Sequence, residues 1–258
     1  KELAMNYNIP ILIDSALFAE NAWFIKERES GYQDTAIIDI IREMYEYADM
    51  LTISAKKDGI VNMGGFIAMK SEDVFKSCTT FNILFEGFIT YGGMAGRDMA
   101  ALAQGLYEST DYHYLSSRIN QVAYLGQLLD DYNVPVQKPF GGHAIFLNAL
   151  EFLPNVPREE FPAQTLAIEL FKEGGVRAVE IGAIMADRDP ITRENRYPDL
   201  ELVRLAIPRR VYTYNHMQYV AEVAKKVWDR RDTITRGYQI SYEAPIMRHF
   251  TVELQPLS

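Results

Sequence analysis

With 258 residues, 48% hydrophobic, 12% aromatic and 24% charged side chains, the chain has the composition of a globular protein, long enough for one large domain or two modest ones. Its net charge of −9 argues against nucleic acid as a partner, and no apolar run approaches the roughly 20 residues needed to span a bilayer, so no membrane is expected either. A single cysteine, Cys78, cannot close an internal disulfide, which points to a reducing compartment such as the cytoplasm and to a buried or incidental thiol rather than a nucleophile.

The first elements read in order as a helix tail, a turn and a strand in "KELAMNYNIPILIDSA". Because the sequence opens on Lys1 inside such a unit, the expectation is that a segment once preceded it. "IPILIDSA" is a continuous apolar run of the kind buried on both faces of a sheet, ending in the carboxylate of Asp14. Ile37, Ile40, Ile41, Met44, Tyr45 and Ala48 follow the i, i+3, i+4, i+7 spacing of an amphipathic helix, and "MLTISA" is a second strand. Strand, helix, strand is the right-handed crossover unit. It predicts a parallel pair with Asp14 and the adjacent Lys56 and Lys57 at one carboxyl edge, where open α/β sheets bind ligands.

"GGFIAMK" reads as another strand, and "EGFITYGGMAGRDMAALAQGLYEST" passes from a glycine-rich loop into a long helix. A helix over about 114–130, a short strand "VPVQKP" and a strand in "GGHAIFLNA" follow, with a soft domain boundary near residue 112. "FPAQTLAIELFKEGGVRAVEIG" reads as a helix ending at Gly174 and Gly175, then a strand. A polar stretch, "ADRDPITRENRYPDLELVRLAIP", leads to a helix around 215–230 and a strand pair ending "MRHFTVEL", which would place His249 in a strand. His143 reads as structural, and His113 and His216 as surface residues.

The lysine pair carries the chemistry. A lysine that bonds to a carbonyl has to be partly neutral, and a neighbouring cation favours the neutral amine. On their own, two lysines before Asp58 and Gly59 are a solvated turn, and Asp14 is a cap or an ion-pair member. Together at neighbouring strand ends they fit pyridoxal phosphate, which needs a lysine for its aldehyde and an acid for its ring nitrogen. Ser54 and Lys57 also satisfy the S-x-x-K pattern of penicillin-recognising serine enzymes, but K-T-G and S-D-N are absent, and Ser54 closes a strand instead of opening a helix.

The segments "SAKKDGIVNMGG", "FAENAWFIK", "YGGMAGRDMAA", "FPAQ", "GVRAVEIG", "VRLAIPRRVYT" and "MRHFT" together resemble the beta-eliminating lyases, tryptophan indole-lyase and tyrosine phenol-lyase. The similarity runs the whole length of the chain but covers the C-terminal half to three-fifths of that family. It implies the aspartate-aminotransferase-like α/β fold, with residues 1–112 in the large cofactor-binding domain and 113–258 in a small α/β domain. It also implies a tetramer built from dimers, and pyridoxal 5'-phosphate with a monovalent cation, usually potassium.

Carried over by position, the resemblance makes Lys57 the Schiff-base lysine, supported by Lys56. Ser54 bonds the cofactor phosphate, Asp14 pairs with the ring nitrogen, Arg204 clamps the substrate carboxylate, and Asn62 lends a backbone oxygen to the cation. Phenol-lyases have an arginine where Ile181 stands and an aromatic where His249 stands, so an apolar wall with a histidine suits indole and predicts cleavage of L-tryptophan to indole, pyruvate and ammonia. The alternatives are a phenol-lyase or other beta-eliminating specificity, and an impaired fragment or assembly subunit that needs an N-terminal companion chain. The family's arginine facing the cofactor's phenolic oxygen is replaced by Leu17, a loss of about 1.5–3 kcal/mol of hydrogen bonding if buried.

Overall fold

The computed structural model describes residues 1–257, which divide into two compact units, Lys1–Ser117 and the residues from Arg118 onward. In the first, helix α1 (Glu2–Asn6) leads to strand β1 (Leu12–Asp14), then helices α2 (Phe18–Arg28) and α3 (Ile37–Glu46) and strand β2 (Met50–Ser54). Strand β3 (Gly65–Met69), α4 (Glu72–Phe85) and α5 (Gly96–Glu108) follow, and the long helix α6 (Tyr112–Asp131) runs across the division. β1 and β2 pair in parallel, Leu12 opposite Met50 and Asp14 opposite Thr52, as the crossover reading predicts, while β3 adds to the far side of β2 antiparallel.

The helical spacing read for α3 corresponds to burial of Ile37, Ile40 and Ile41, which pack with Ala19, Ala22 and Trp23 of α2 to cover the crossover. One expectation changes here, and one helix, α4, lies in a stretch for which the sequence pattern predicts no element. β1 is not buried on both faces: it is an edge strand with Leu12 52% exposed, and Asp14 is exposed as well. α4 buries no residue, and its start is marked by Ser71, whose side chain accepts from Val74 N at 3.3 Å, and by Glu72 and Asp73 in its first turn.

The second unit holds β4 (Ala144–Asn148), the short α7 (Ala149–Phe152), α8 (Pro162–Gly174), β5 (Val179–Ile181), β6 (Leu202–Ala206), α9 (Tyr214–Asp229), β7 (Tyr238–Tyr242) and β8 (Glu253–Pro256). Its main sheet has the order β4-β6-β5, all antiparallel, and β7 pairs with β8. Ile145, Leu147, Val203 and Leu205 turn one face of the sheet into a core with Leu166 and Leu170 of α8, Ala221 and Val227 of α9, and Leu125 and Leu129 of α6. Pro162 opens α8 and Gly175 closes it at φ 68°, a left-handed position that favours glycine.

"VPVQKP" is not a strand. Pro135 and Pro139 have no N–H to offer a ladder, and a single bridge, Val136 to Leu147, is what forms. "MRHF" is likewise not a strand but a 3-10 turn, Arg248–Phe250, entered through Met247 at φ 54°, so His249 sits on a turn between β7 and β8.

Candidate active site

The parallel pair β1–β2 sets out the first half of the site. Ser15 N donates to Thr52 O at 2.7 Å, and Asp58 N to Ala16 O at 3.4 Å, so the chain leaving Asp14 and the chain carrying Lys56 and Lys57 stay joined past the strand ends. Asp14 Oδ1 accepts from Ala16 N at 3.1 Å. Ser54 is the last residue of β2, and its carbonyl accepts from Lys57 N at 3.3 Å, which starts the turn. Ser54 therefore closes a strand and opens no helix, unlike the serine-enzyme motif.

Both lysines are exposed and neither is in an ion pair among the described residues. Lys56 lines an open cleft with Thr52, Gly64 and Phe66, and neither Lys57 nor Asp14 is among the residues lining it. Asn62 lies exposed in the loop beyond, and Cys78 is half-buried on α4.

What holds the lysine turn is a residue that motif reading passed over. Asp58 is 2% exposed, and its Oδ2 accepts from Ala19 N and Glu20 N, each at 3.0 Å, at the start of α2. Leu17 occupies the N-cap of that helix and has no oxygen to offer, so Asp58 supplies the cap from 39 positions away. On the other side, a Cβ on Gly105 of α5 would lie 2.0 Å from Gly59 O, so only glycine lets this helix close on the turn. Ile60, directly after, is held at φ 55°, a strained conformation for a β-branched residue. Behind the edge, Tyr45 has its hydroxyl pKa raised, chiefly by burial, with Ser15 bonding in the opposing direction.

The second unit carries the other predicted residues. The sheet register sets Arg204 opposite Phe146 and Val179, and Leu202 opposite Ile181, so Arg204 and Ile181 share the face turned away from the helical core. Arg204 Nε is buried and has no hydrogen-bond partner among the described residues. A buried guanidinium nitrogen without a partner is costly unless a ligand completes it. His249 Nδ1 is buried and unpartnered in the same way, its ring packed 4.0 Å from that of Phe250. His113 and His216 are exposed, with His216 capping α9 through Thr213, and His143 is half-buried.

The turn that follows Ile181 is built on buried carboxylates. Burial pushes Glu180 up to about 7, against the lowering effect of its bonds from Ile184 N and Met185 N and with help from nearby Glu201. Burial raises Glu201 as well, opposed by its bond from Ala183 N.

An acid and an amine near the ends of two parallel strands in the first unit, and an arginine with a buried, unpartnered Nε in the second, are the groups the described residues offer. The chain belongs to the beta-eliminating lyase family, whose model matches residues 1–223. It is 59% identical over its whole length to a probable beta-eliminating lyase of Trichomonas vaginalis, 49% to a tyrosine phenol-lyase of Symbiobacterium thermophilum, and 46% over 99% of its length to a tryptophanase of Salinibacter ruber. The chain spans 56%, 56% and 54% of those three proteins, respectively.

Proposed function

We propose that the chain is the C-terminal portion of a pyridoxal-phosphate-dependent lyase that converts L-tryptophan and water to indole, pyruvate and ammonia. The observation that carries this is the placement of Asp14 and Lys57 at one carboxyl edge of the β1–β2 pair, tied together by backbone bonds beyond the strand ends. Bound pyridoxal phosphate supplies an electron sink at the reacting carbon. Lys57 would hold the cofactor through its amine and would take the alpha proton as general base. Asp14 keeps the ring nitrogen protonated, Ser54 donates its hydroxyl to the phosphate, and Lys56 adds positive charge beside it.

Arg204 orients the substrate by gripping its carboxylate, which supplies the acceptor that Nε lacks. Ile181 forms an apolar wall for the ring, and His249 presents a polar edge to it and joins the proton transfer to the leaving carbon. Asn62 is assigned the cation through its backbone oxygen, with potassium as the expected ion. The fold proposed for the whole protein is that of the aspartate aminotransferases, assembled as a dimer of dimers, with the rest of the family's length supplied by a contiguous or companion segment.

Borohydride reduction followed by peptide mapping tests the reading, on native material whose intact mass and subunit content are measured first. The reduced cofactor is expected on Lys57, and attachment elsewhere refutes the site. A second reading, a tyrosine phenol-lyase, is favoured by the 49% identity to a protein of that name. It predicts that tyrosine is cleaved in preference to tryptophan.

A further inference from the structure

Glu180 and Arg248 stand immediately before Ile181 and His249, the two positions assigned above to the aromatic part of the substrate. Both are buried, at 6% and 0% exposure. Between them lie two consecutive peptide groups. The peptide joining Ala183 to Ile184 accepts at its carbonyl from Arg248 Nη2 at 2.6 Å and donates through Ile184 N to Glu180 Oε1 at 3.0 Å. In the next one, the Ile184 carbonyl accepts from Arg248 Nε at 3.1 Å and Met185 N donates to Glu180 Oε2 at 3.1 Å. Two N–H groups on one edge of a guanidinium thus face the two oxygens of a carboxyl group across a pair of amides, each aligned with its oxygen toward Arg248 and its hydrogen toward Glu180. In a buried setting such a chain strengthens along its length.

The surroundings leave this bridge little freedom. A Cβ on Gly182 would lie 2.3 Å from Glu201 Oε1 and 2.8 Å from Glu180 Oε1, so only glycine fits between the two carboxylates. Glu201 takes the amide of Ala183 with both oxygens, at 3.3 and 3.2 Å. Arg248 Nη1 donates to Asn195 Oδ1 at 2.7 Å and Glu243 Oε2 at 3.1 Å, Asp187 Oδ1 lies 3.7 Å from Nε, and Arg188 pairs with the other oxygen of Glu243. The Arg248 carbonyl accepts from Thr251 N and Val252 N at 2.8 Å, which closes the turn on which His249 sits. With Nδ1 unpartnered, the His249 ring is positioned by this turn and by Phe250.

We propose that Glu180 and Arg248 are positioning residues for substrate specificity, joined by a peptide-mediated hydrogen-bonded bridge that fixes the strand end at Ile181 against the turn at His249. The inference rests on the lyase reading only for the roles of Ile181 and His249. Glu180→Gln is the decisive variant, because it keeps side-chain size and one acceptor oxygen and lies across the bridge from His249. In the full chain, Glu180→Gln and Arg248→Lys are both expected to move the His249 ring signals in histidine-labelled NMR spectra and to speed exchange of the Ile184 and Met185 amides at least 10-fold.

In the assembled enzyme, both variants are expected to change the ratio of kcat/KM for tryptophan over tyrosine at least 5-fold with borohydride trapping at Lys57 unaltered. The double variant is expected to add no more than the stronger single. Faster exchange in Glu180→Gln with unmoved His249 signals, or fully additive effects, overturns the proposal. An enzyme that cleaves neither amino acid sinks the lyase reading alone, since the ring and exchange measurements still decide the bridge. If Arg248→Lys does not fold, Glu180→Gln decides by itself.

Discussion

Asp58→Ala tests the claim that a remote carboxylate caps α2 and thereby holds the lysine turn. The substitution removes two charge-assisted bonds, from Ala19 N and Glu20 N at 3.0 Å each, and strands both donors at the buried start of a helix. Loss of a helix cap costs about 1–2 kcal/mol, and a buried donor left without a partner costs about 1–3 kcal/mol. Because the two estimates overlap, the expected loss is about 2–4 kcal/mol, or roughly 4–16 °C in Tm for a chain of this size. Asp58→Asn, which retains one acceptor oxygen, should lie between Ala and the parent. The assay is thermal unfolding with amide exchange at Ala19 and Glu20 followed in parallel, and trapping at Lys57 is expected to fall with protection of those amides. A Tm within about 1 °C of the parent, or unchanged exchange at Ala19 and Glu20, refutes the cap and with it the account of how the lysine turn is held.

Gly105→Ala places a Cβ 2.0 Å from Gly59 O, so α5 has to move off the turn, and a loss of about 3 kcal/mol or more should appear in chemical denaturation. Arg204→Lys keeps the charge but loses the fork, and should raise KM for the amino acid about 10–100-fold in steady-state assays while kcat changes less. Glu180 has a folded pKa raised from 4.5 to about 7 and so binds a proton more tightly when folded. Its contribution is full below pH 4.5 and is lost as pH rises to about 7, up to about 3 kcal/mol. Glu201 acts in the same direction, whereas Glu169 and Glu243, with lowered values, contribute above 4.5 and lose their contribution at lower pH. Denaturation midpoints between pH 4.5 and 7 should therefore slope downward, and less steeply in Glu180→Gln.

The lysine edge was legible because its signal is local and repeated. The sequence shows a strand, an amphipathic helix and a second strand, and the parallel pairing such a crossover makes puts the residues after both strands at the same carboxyl edge, although it leaves α2 unread. Asp58 was hidden in plain view: an aspartate beside a lysine pair reads as surface charge, and only the capless start of α2 at Leu17, far away in sequence, shows what it does. The register of β5 on β6, which puts Ile181 and Arg204 on one face, likewise depends on a pairing across a long polar stretch. The apolar, β-compatible residues around His249 predict a strand, yet Arg248 finds its acceptors at Ala183 and Ile184, and the segment forms a turn. Exposure of β1 was equally outside periodicity, which reports what a strand can bury and not what lies beside it.

One device recurs in both units. Asp58 takes the amides of Ala19 and Glu20, and Glu180 takes those of Ile184 and Met185, in each case two successive N–H groups on a buried carboxylate. In each case, too, the residue next to the carboxylate is a candidate for contact with ligand: Lys57 before Asp58, Ile181 after Glu180. A side chain that must break and remake a covalent bond, as proposed for Lys57, cannot itself be locked, but a loose backbone would cost it the alignment that proton transfer requires. Anchoring the neighbour resolves the conflict, since adjacent side chains point differently and the fixed one restrains only the shared peptide. Exposed Lys57 beside Asp58 at 2% exposure is that arrangement in its plainest form.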